Sequence, residues 1–302
     1  MNAVAALLPD GRLHLQHGPI DCLCQAWGEA GEIRAAYAQA AAHFTDILPA
    51  LCDELPALRS PLPSRPPRGP VARSMHAACM PFADRFITPM AAVAGAVADH
   101  ALAALVAGRH LSRAAVNNGG DIAFHLAPGT SLRCGLVANL AVPALDGVFL
   151  LRADNAARGL ATSGRACKGE IGQGRGGRSF SLGIADAVSV LARSAASADA
   201  AATLIANAVD LPGHPAVHRR RADAIDPGSD LGPRMVTWDL GPLTPAEVAA
   251  ALDAGGRLAD ALRAAGHIEA AVLALRGQVL VVSTLEAGGG LHDRMAQHLE
   301  NI

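Results

Sequence analysis

Aromatic residues are scarce in this chain: two Trp, one Tyr and six Phe make up 3% of 302 positions. That disfavours an aromatic-rich sandwich. The interior has to be filled by Ala, Val, Leu and Ile at short packing distances, which suits helices layered on a sheet. Charge of one sign is also missing. The formal net charge is −2, and the densest basic cluster is Arg219, Arg220 and Arg221 beside His218. So short a triplet reads as a solvated loop, since a duplex-binding face needs a wider basic surface, and no nucleic-acid partner is expected.

Cysteine pairs at metal or redox spacing are absent too. The six cysteines are Cys22, Cys24, Cys52, Cys79, Cys134 and Cys167, and none forms C-x-x-C. Cys22 and Cys24 share one face of a strand and read as small buried hydrophobes. Val4 to Leu8 is too short an apolar patch, before Pro9 and Asp10, for a signal peptide. From Ile87 to Gly108 the apolar run is interrupted by Asp99 and His100 and is mostly Ala, which predicts a buried helix and not a membrane span. A cytoplasmic location follows as the expectation.

What the chain does have is periodicity. Arg12 to His17 and Ile20 to Trp27 alternate around Gly18 and Pro19, predicting two short strands. Ile33, Tyr37, Ala40, Phe44, Ile47, Leu51, Leu55 and Leu58 recur at spacings of three and four, predicting one helical stripe that Pro49 and Pro56 can kink. Residues 60–70 hold five prolines and read as an extended connector between two subdomains of a single domain spanning 1–302. Strands are predicted at Ala114 to Leu126, Leu132 to Leu140, Val148 to Arg152, Ser179 to Leu182, Ala187 to Leu191 and Met235 to Leu240, with a helix from about Ala196 to Val209. Thr244, Pro245 and Glu247 form a capping box with proline at the first helical position, which starts a helix at Thr244. Ala270 to Leu275 and Val279 to Val282 read as a β-hairpin. The predicted class is α/β in an α+β arrangement, with mixed sheets and Ala-rich helices.

Three constellations could carry chemistry. Asn117, Asn118, Gly119, Gly120 and Asp121 stand where a strand meets a turn: adjacent glycines let a flat ligand approach the backbone, and the polar side chains suit ring edges or ribose hydroxyls. A plain hairpin turn explains the same residues. Asp199 and Thr203, four apart on one helix face, offer two hard oxygen ligands for Mg²⁺. Alternatively, Ser197 caps that helix and Asp199 complements its positive end. Thr162, Ser163 and Gly164 lead into a Gly- and Arg-rich loop whose backbone N–H groups could hold an anion, assisted by Lys168, Arg175 and Arg178. Gly172, Gly174 and Gly177 match G-x-G-x-x-G, but a loop is predicted before them and a strand after, which excludes a dinucleotide fingerprint. Among the histidines only His17, before Gly18 and Pro19, stands at a tight turn where an acid or donor is useful. No nucleophile with its base is evident, so the catalytic residues are unknown.

Taken together, Asn117 to Asp121, Thr162 to Gly164 and ADAAAT at 198–203 occur in the order and approximate spacing of the ApbE-like superfamily. HGPID at 17–21, TPMAAVAGAVAD at 88–99, NNGGDIA at 117–123 and SFSLGIADAVSVLA at 179–192 resemble a separate branch of it, related to the FAD:protein FMN transferases. The resemblance implies an ApbE-like layered domain. It implies Mg²⁺ held by Asp199 and Thr203, and a flavin site, for FAD or FMN, lined by Asn117 to Gly120 and Thr162 to Gly164. The transferases carry a segment of the type HIIDP that helps hold the dinucleotide. Here Ser181 to Asp186 stand in its place without the histidine or the proline, and only Asp186 is left to retain part of that role.

Three functions stay open at this point: a Mg²⁺-dependent transferase or hydrolase acting on a flavin or similar fused-ring coenzyme; a carrier that keeps the pocket without catalysis; or an enzyme of a pterin-type coenzyme's biosynthesis in one-carbon metabolism. A small-molecule coenzyme is the expected partner, with no membrane, and the apolar Ala-rich helices predict a homo-oligomer.

Overall fold

The computed structural model describes residues 2–136, 147–165 and 180–283. The stretch Lys168 to Arg178, and Cys167, lie outside the described residues. In chain order the elements are β1 (Val4–Leu7), β2 (Leu13–His17), β3 (Ile20–Gly28), α1 (Ala30–Phe44), α2 (Ile47–Asp53), α3 (Leu55–Leu58), α4 (Pro70–Cys79), α5 (Val93–Val106), β4 (Leu111–Asn118) and β5 (Asp121–Leu126). There follow β6 (Ser131–Leu136), β7 (Gly147–Arg152), β8 (Gly159–Ser163), β9 (Ala187–Ala192), α6 (Ala195–Ala208), β10 (Val217–Arg221), α7 (Ala222–Ile225), β11 (Met235–Leu240), α8 (Pro245–Ala264), β12 (Ala270–Leu275) and β13 (Gln278–Ser283). Helices mix with antiparallel sheets, as the class read from the sequence requires.

The chain divides into two compact units, the first comprising Met1–Leu132, Leu151–Ala161 and Leu191–Ala200, the second Arg133–Leu150, Thr162–Val190 and Ala201–Ile302. The proline-rich stretch at 60–70 lies inside the first, where Leu62 N–H donates to Ile87 O.

In the first unit the strand order is β1-β2-β3-β4-β5-β8. Leu13, Leu15, His17, Ile20, Cys22, Cys24 and Ala26 form one buried row because side chains alternate along β2 and β3. Burial raises the thiol pKa of both cysteines, Cys24 to about 12, as inert small hydrophobes require. Over this sheet lies α5, packed on β4, β5 and α1. Pro89–Val106 is long and apolar enough to cross a membrane by length and composition, yet Ala96, Val97, Ala98, Ala101 and Leu105 on it are buried in the protein core.

The predicted single stripe from Ile33 to Leu58 is instead α1, α2 and α3. Pro49 has no N–H for the Thr45 carbonyl and Pro56 none for Cys52, so the helix restarts after Asp46 and again after Glu54. The Glu54 side chain accepts from Arg68 N at 2.5 Å and Gly69 N at 2.6 Å, which fixes the two residues before α4.

In the second unit β12 and β13 form the predicted hairpin, β9 lies beside β12, and α8 covers β12 and β13. The capping box is formed: Glu247 N donates to Thr244 Oγ1 at 3.3 Å and Thr244 N to Glu247 Oε2 at 2.7 Å. The Arg219–Arg221 triplet is strand β10 and not a loop. Its charges are used within the unit, Arg219 on Asp210, Arg221 on Asp223 and Arg220 stacked 4.2 Å from the Trp238 ring. Two further expectations change. Residues 180–182 are not strand, and a strand, β8, stands at Gly159–Ser163 where no element was predicted.

Candidate functional site

In the first unit Asn118 pairs with Asp121, so the chain reverses through Gly119 and Gly120 alone. Their φ values of +64° and +110° suit glycine, and a Cβ on either would meet nothing within 4 Å. The neighbouring amide oxygens are spent on the fold. Asn117 Oδ1 accepts from Gly120 N at 2.8 Å; Asn118 Oδ1 accepts from Asp21 N at 3.4 Å and its Nδ2 donates to Ala94 O at 3.0 Å. What the turn leaves open is a bare strip of backbone, while Asp121 points inward and is 7% exposed.

Asp121 meets Asp199 there, hydrogen-bonded side chain to side chain. Asp199 stands in the second turn of α6, and its Oδ2 accepts from Gly95 N at 3.1 Å, in the first turn of α5. Burial pushes the Asp199 carboxyl up to about 7; the Gly95 and Ala94 N–H groups and the Asp121 bond pull it down, and the Asp99 charge adds to the rise. Asp99 answers from α5, its oxygens accepting from Ala195 N at 3.0 Å and Ala196 N at 2.9 Å at the start of α6. The side-chain cap within α6 itself comes from Ser194, which accepts from Ser197 N at 3.1 Å; Ser197, the residue expected to cap, lies one turn too late. Thr203 is one turn along α6 from Asp199 and half-buried.

Two carboxyl groups at hydrogen-bond range hold a proton between them or share a cation. Such a donor set is all hard oxygen and suits Mg²⁺, which keeps several waters and takes one or two carboxylates. Among the described residues no group of three or more His, Cys, Asp or Glu has metal-binding geometry, so a softer or closed metal centre has no donor set.

In the second unit Thr162 Oγ1 and Ser189 Oγ lie 2.8 Å apart on β8 and β9. Gly164 follows with φ +133°, so close to the β9 side that a Cβ would sit 2.6 Å from Asp186 O. Asp186 Oδ2 accepts from Arg276 N at 2.6 Å, bracing the turn of the β12–β13 hairpin. Two clefts, about 150 Å³ beside α2 and α4 and about 330 Å³ beside α8 and β13, contain none of these residues. Sequence reading did not find the Asp121–Asp199 contact or the Asp99 cap. The NNGGDIA and ADAAAT runs flagged the residues, but nothing in their spacing says that they meet.

Antiparallel sheets under Ala-rich helices, with polar side chains gathered at a hairpin turn and at helix starts, place the chain in the mixed α/β class. A family model described as AbpE bacteria matches residues 5–281, and the chain belongs to that family. Similar proteins include a UPF0280 protein of Methanoregula boonei, 32% identical over 180 residues, 56% of this chain and 68% of the relative. Another is a UPF0280 protein of Methanobrevibacter smithii, 34% identical over 121 residues, 40% of this chain. The chain spans about half the length of that relative, 46%. Among solved structures, the flavinyl transferase ApbE of Pseudomonas stutzeri gives a TM-score of 0.43 at 13% identity, covering 94% of this chain and 95% of that one. An ApbE protein of Thermotoga maritima gives 0.38 at 14%, covering 86% and 77%.

Proposed function

We propose that the chain binds a flavin or a similar fused-ring coenzyme and, with Mg²⁺ at Asp199, transfers or hydrolyses part of it. The observation that carries the reading is the Asp121–Asp199 contact, with the Asp199 carboxyl pushed up to about 7 by burial. A divalent cation there replaces the shared proton and offsets the charge that burial penalises. Asp199 and Asp121 would hold it, with the Thr203 hydroxyl, water and ligand oxygen completing the shell. Bound, Mg²⁺ supplies Lewis-acid polarisation of a phosphoryl oxygen. In the first unit Gly119 and Gly120 would let a flat ring lie against backbone; in the second unit Thr162, Ser163 and Gly164 are candidate ligand contacts in their own right. The test is calorimetric titration of metal-stripped protein with FAD and FMN, with and without Mg²⁺, on wild type and Asp199→Ala. Micromolar FAD binding that needs Mg²⁺ and is lost in the variant supports the reading; no binding of either flavin rejects it and turns the search to pterins.

A second reading is ligand retention without turnover. Asp186, the one residue left of the dinucleotide-holding segment, is committed to the Arg276 N–H. Product formation from bound FAD discriminates the two.

A further inference from the structure

Arg165 directly follows Gly164, and its N–H is fixed on Ala185 O at 2.8 Å. The adjacent Asp186 is the obvious partner for its side chain, yet Asp186 Oδ2 is taken by Arg276 N. The Arg276 guanidinium donates through Nη2 to Leu240 O at 2.5 Å and Gly241 O at 3.3 Å. Arg276 holds φ +48°, the only positive φ of a non-glycine among the described residues. Asn or Gly takes such a turn position at lower cost, so the Arg276 side chain is what the turn retains. Asp239, the other carboxylate within electrostatic range of Arg165, is exposed on β11 and screened by water.

The Arg165 head group therefore makes no hydrogen bond or ion pair among the described residues, although the residue is half-buried. Burial draws its pKa below the ordinary guanidinium value, against the pull of Asp186. An arginine remains charged under such conditions and its five donors keep a planar fork, the shape that takes phosphate or carboxylate two oxygens at a time.

We infer that Arg165 is the anchor for an oxyanion of the ligand, a phosphate or a carboxylate gripped by its guanidinium fork. The inference rests on the coenzyme-binding reading for what the rest of the ligand is, and on Arg165 alone for the anion.

The experiment titrates the full chain, as wild type, Arg165→Gln and Arg165→Lys, with sodium pyrophosphate and with glutarate at low ionic strength, followed by riboflavin and FMN. Wild type is expected to take one of the two small anions, and which one it takes identifies the source as phosphate or carboxylate. Arg165→Gln should lose about tenfold or more in that affinity, as one lost charge-assisted pair implies, and Arg165→Lys should fall between. Because the head group has no hydrogen bond or ion pair among the described residues, Arg165→Gln should melt with wild type. A wild type that takes neither anion, a Gln variant that takes them equally well, or a Gln variant that unfolds overturns the inference. Failure of both riboflavin and FMN, with the anion loss intact, overturns the coenzyme reading alone.

Discussion

Asp99 and Asp199 each close the first turn of the helix that carries the other. Asp99, on α5, accepts from Ala195 N and Ala196 N of α6, and Asp199, on α6, accepts from Gly95 N of α5. Helix starts leave N–H groups without intrahelical acceptors, and two carboxylates satisfy both starts while complementing both positive ends. Asp99→Ala leaves two buried donors unpaired and should cost about 2–3 kcal/mol, whereas Asp99→Asn keeps one acceptor and should cost less. Urea denaturation of the three proteins checks this. An alanine variant as stable as wild type would remove the cap from the account.

The same junction leaves no room for a methyl group. A Cβ on Gly95 would lie 2.2 Å from Ala195 O, and one on Gly159 would lie 2.1 Å from Ala195 N. Either alanine substitution has to push α6 away, by backbone movement and not by a side-chain turn, and should cost about 3 kcal/mol or more. Gly119→Ala meets nothing and should cost about 1 kcal/mol, through its φ of +64° alone. Melting temperatures of the three variants should fall in that order of severity, and equal losses would contradict the close approach.

For Asp199 the folded pKa, about 7, lies above the ordinary value of 3.8. Between those two values the folded state holds a proton that the unfolded state has released, so stability falls as pH rises through that window and levels above it. Mg²⁺ needs the deprotonated group, so its stabilising effect should grow over the same window. Thermal melts from pH 5 to 8, with and without MgCl₂, should show a larger Mg²⁺ shift at pH 8 than at pH 5, and Asp199→Asn should flatten the difference. A Mg²⁺ shift independent of pH in wild type would count against Asp199 as a ligand.

Local pattern made some of this legible and distance hid the rest. The Thr244 box was readable because all its partners lie within four residues. The β2–β3 and β12–β13 hairpins were readable because alternation and turn residues agree. The start of helix α4 was hidden beside the proline-rich stretch, since Pro70 at its first position resembles one more connector residue. β8 was hidden because GLATS is short and holds a single β-former, Thr162. At the candidate site the residue types could be chosen from NNGGDIA and ADAAAT, but the Asn118 bonds to Ala94 and Asp21, 24 and 97 residues away, and the meeting of Asp121 with Asp199 lie beyond any spacing rule.

Asp186 separates a ligand role from a structural one. If it only braces the β12–β13 turn, Asp186→Asn keeps an acceptor for Arg276 N and should lose about 1 kcal/mol, while Asp186→Ala should lose about 2 kcal/mol with part of the hairpin loosened. Neither change should alter the affinity for FMN by more than about twofold. A role in holding the dinucleotide gives the opposite pattern: stability near that of wild type, with FAD affinity falling about tenfold while FMN affinity stays constant. Denaturation curves and paired FAD and FMN titrations on the same two variants decide it. The short hydrogen bond to Arg276 N makes the bracing role the expected result, because it ties the carboxylate to the hairpin turn.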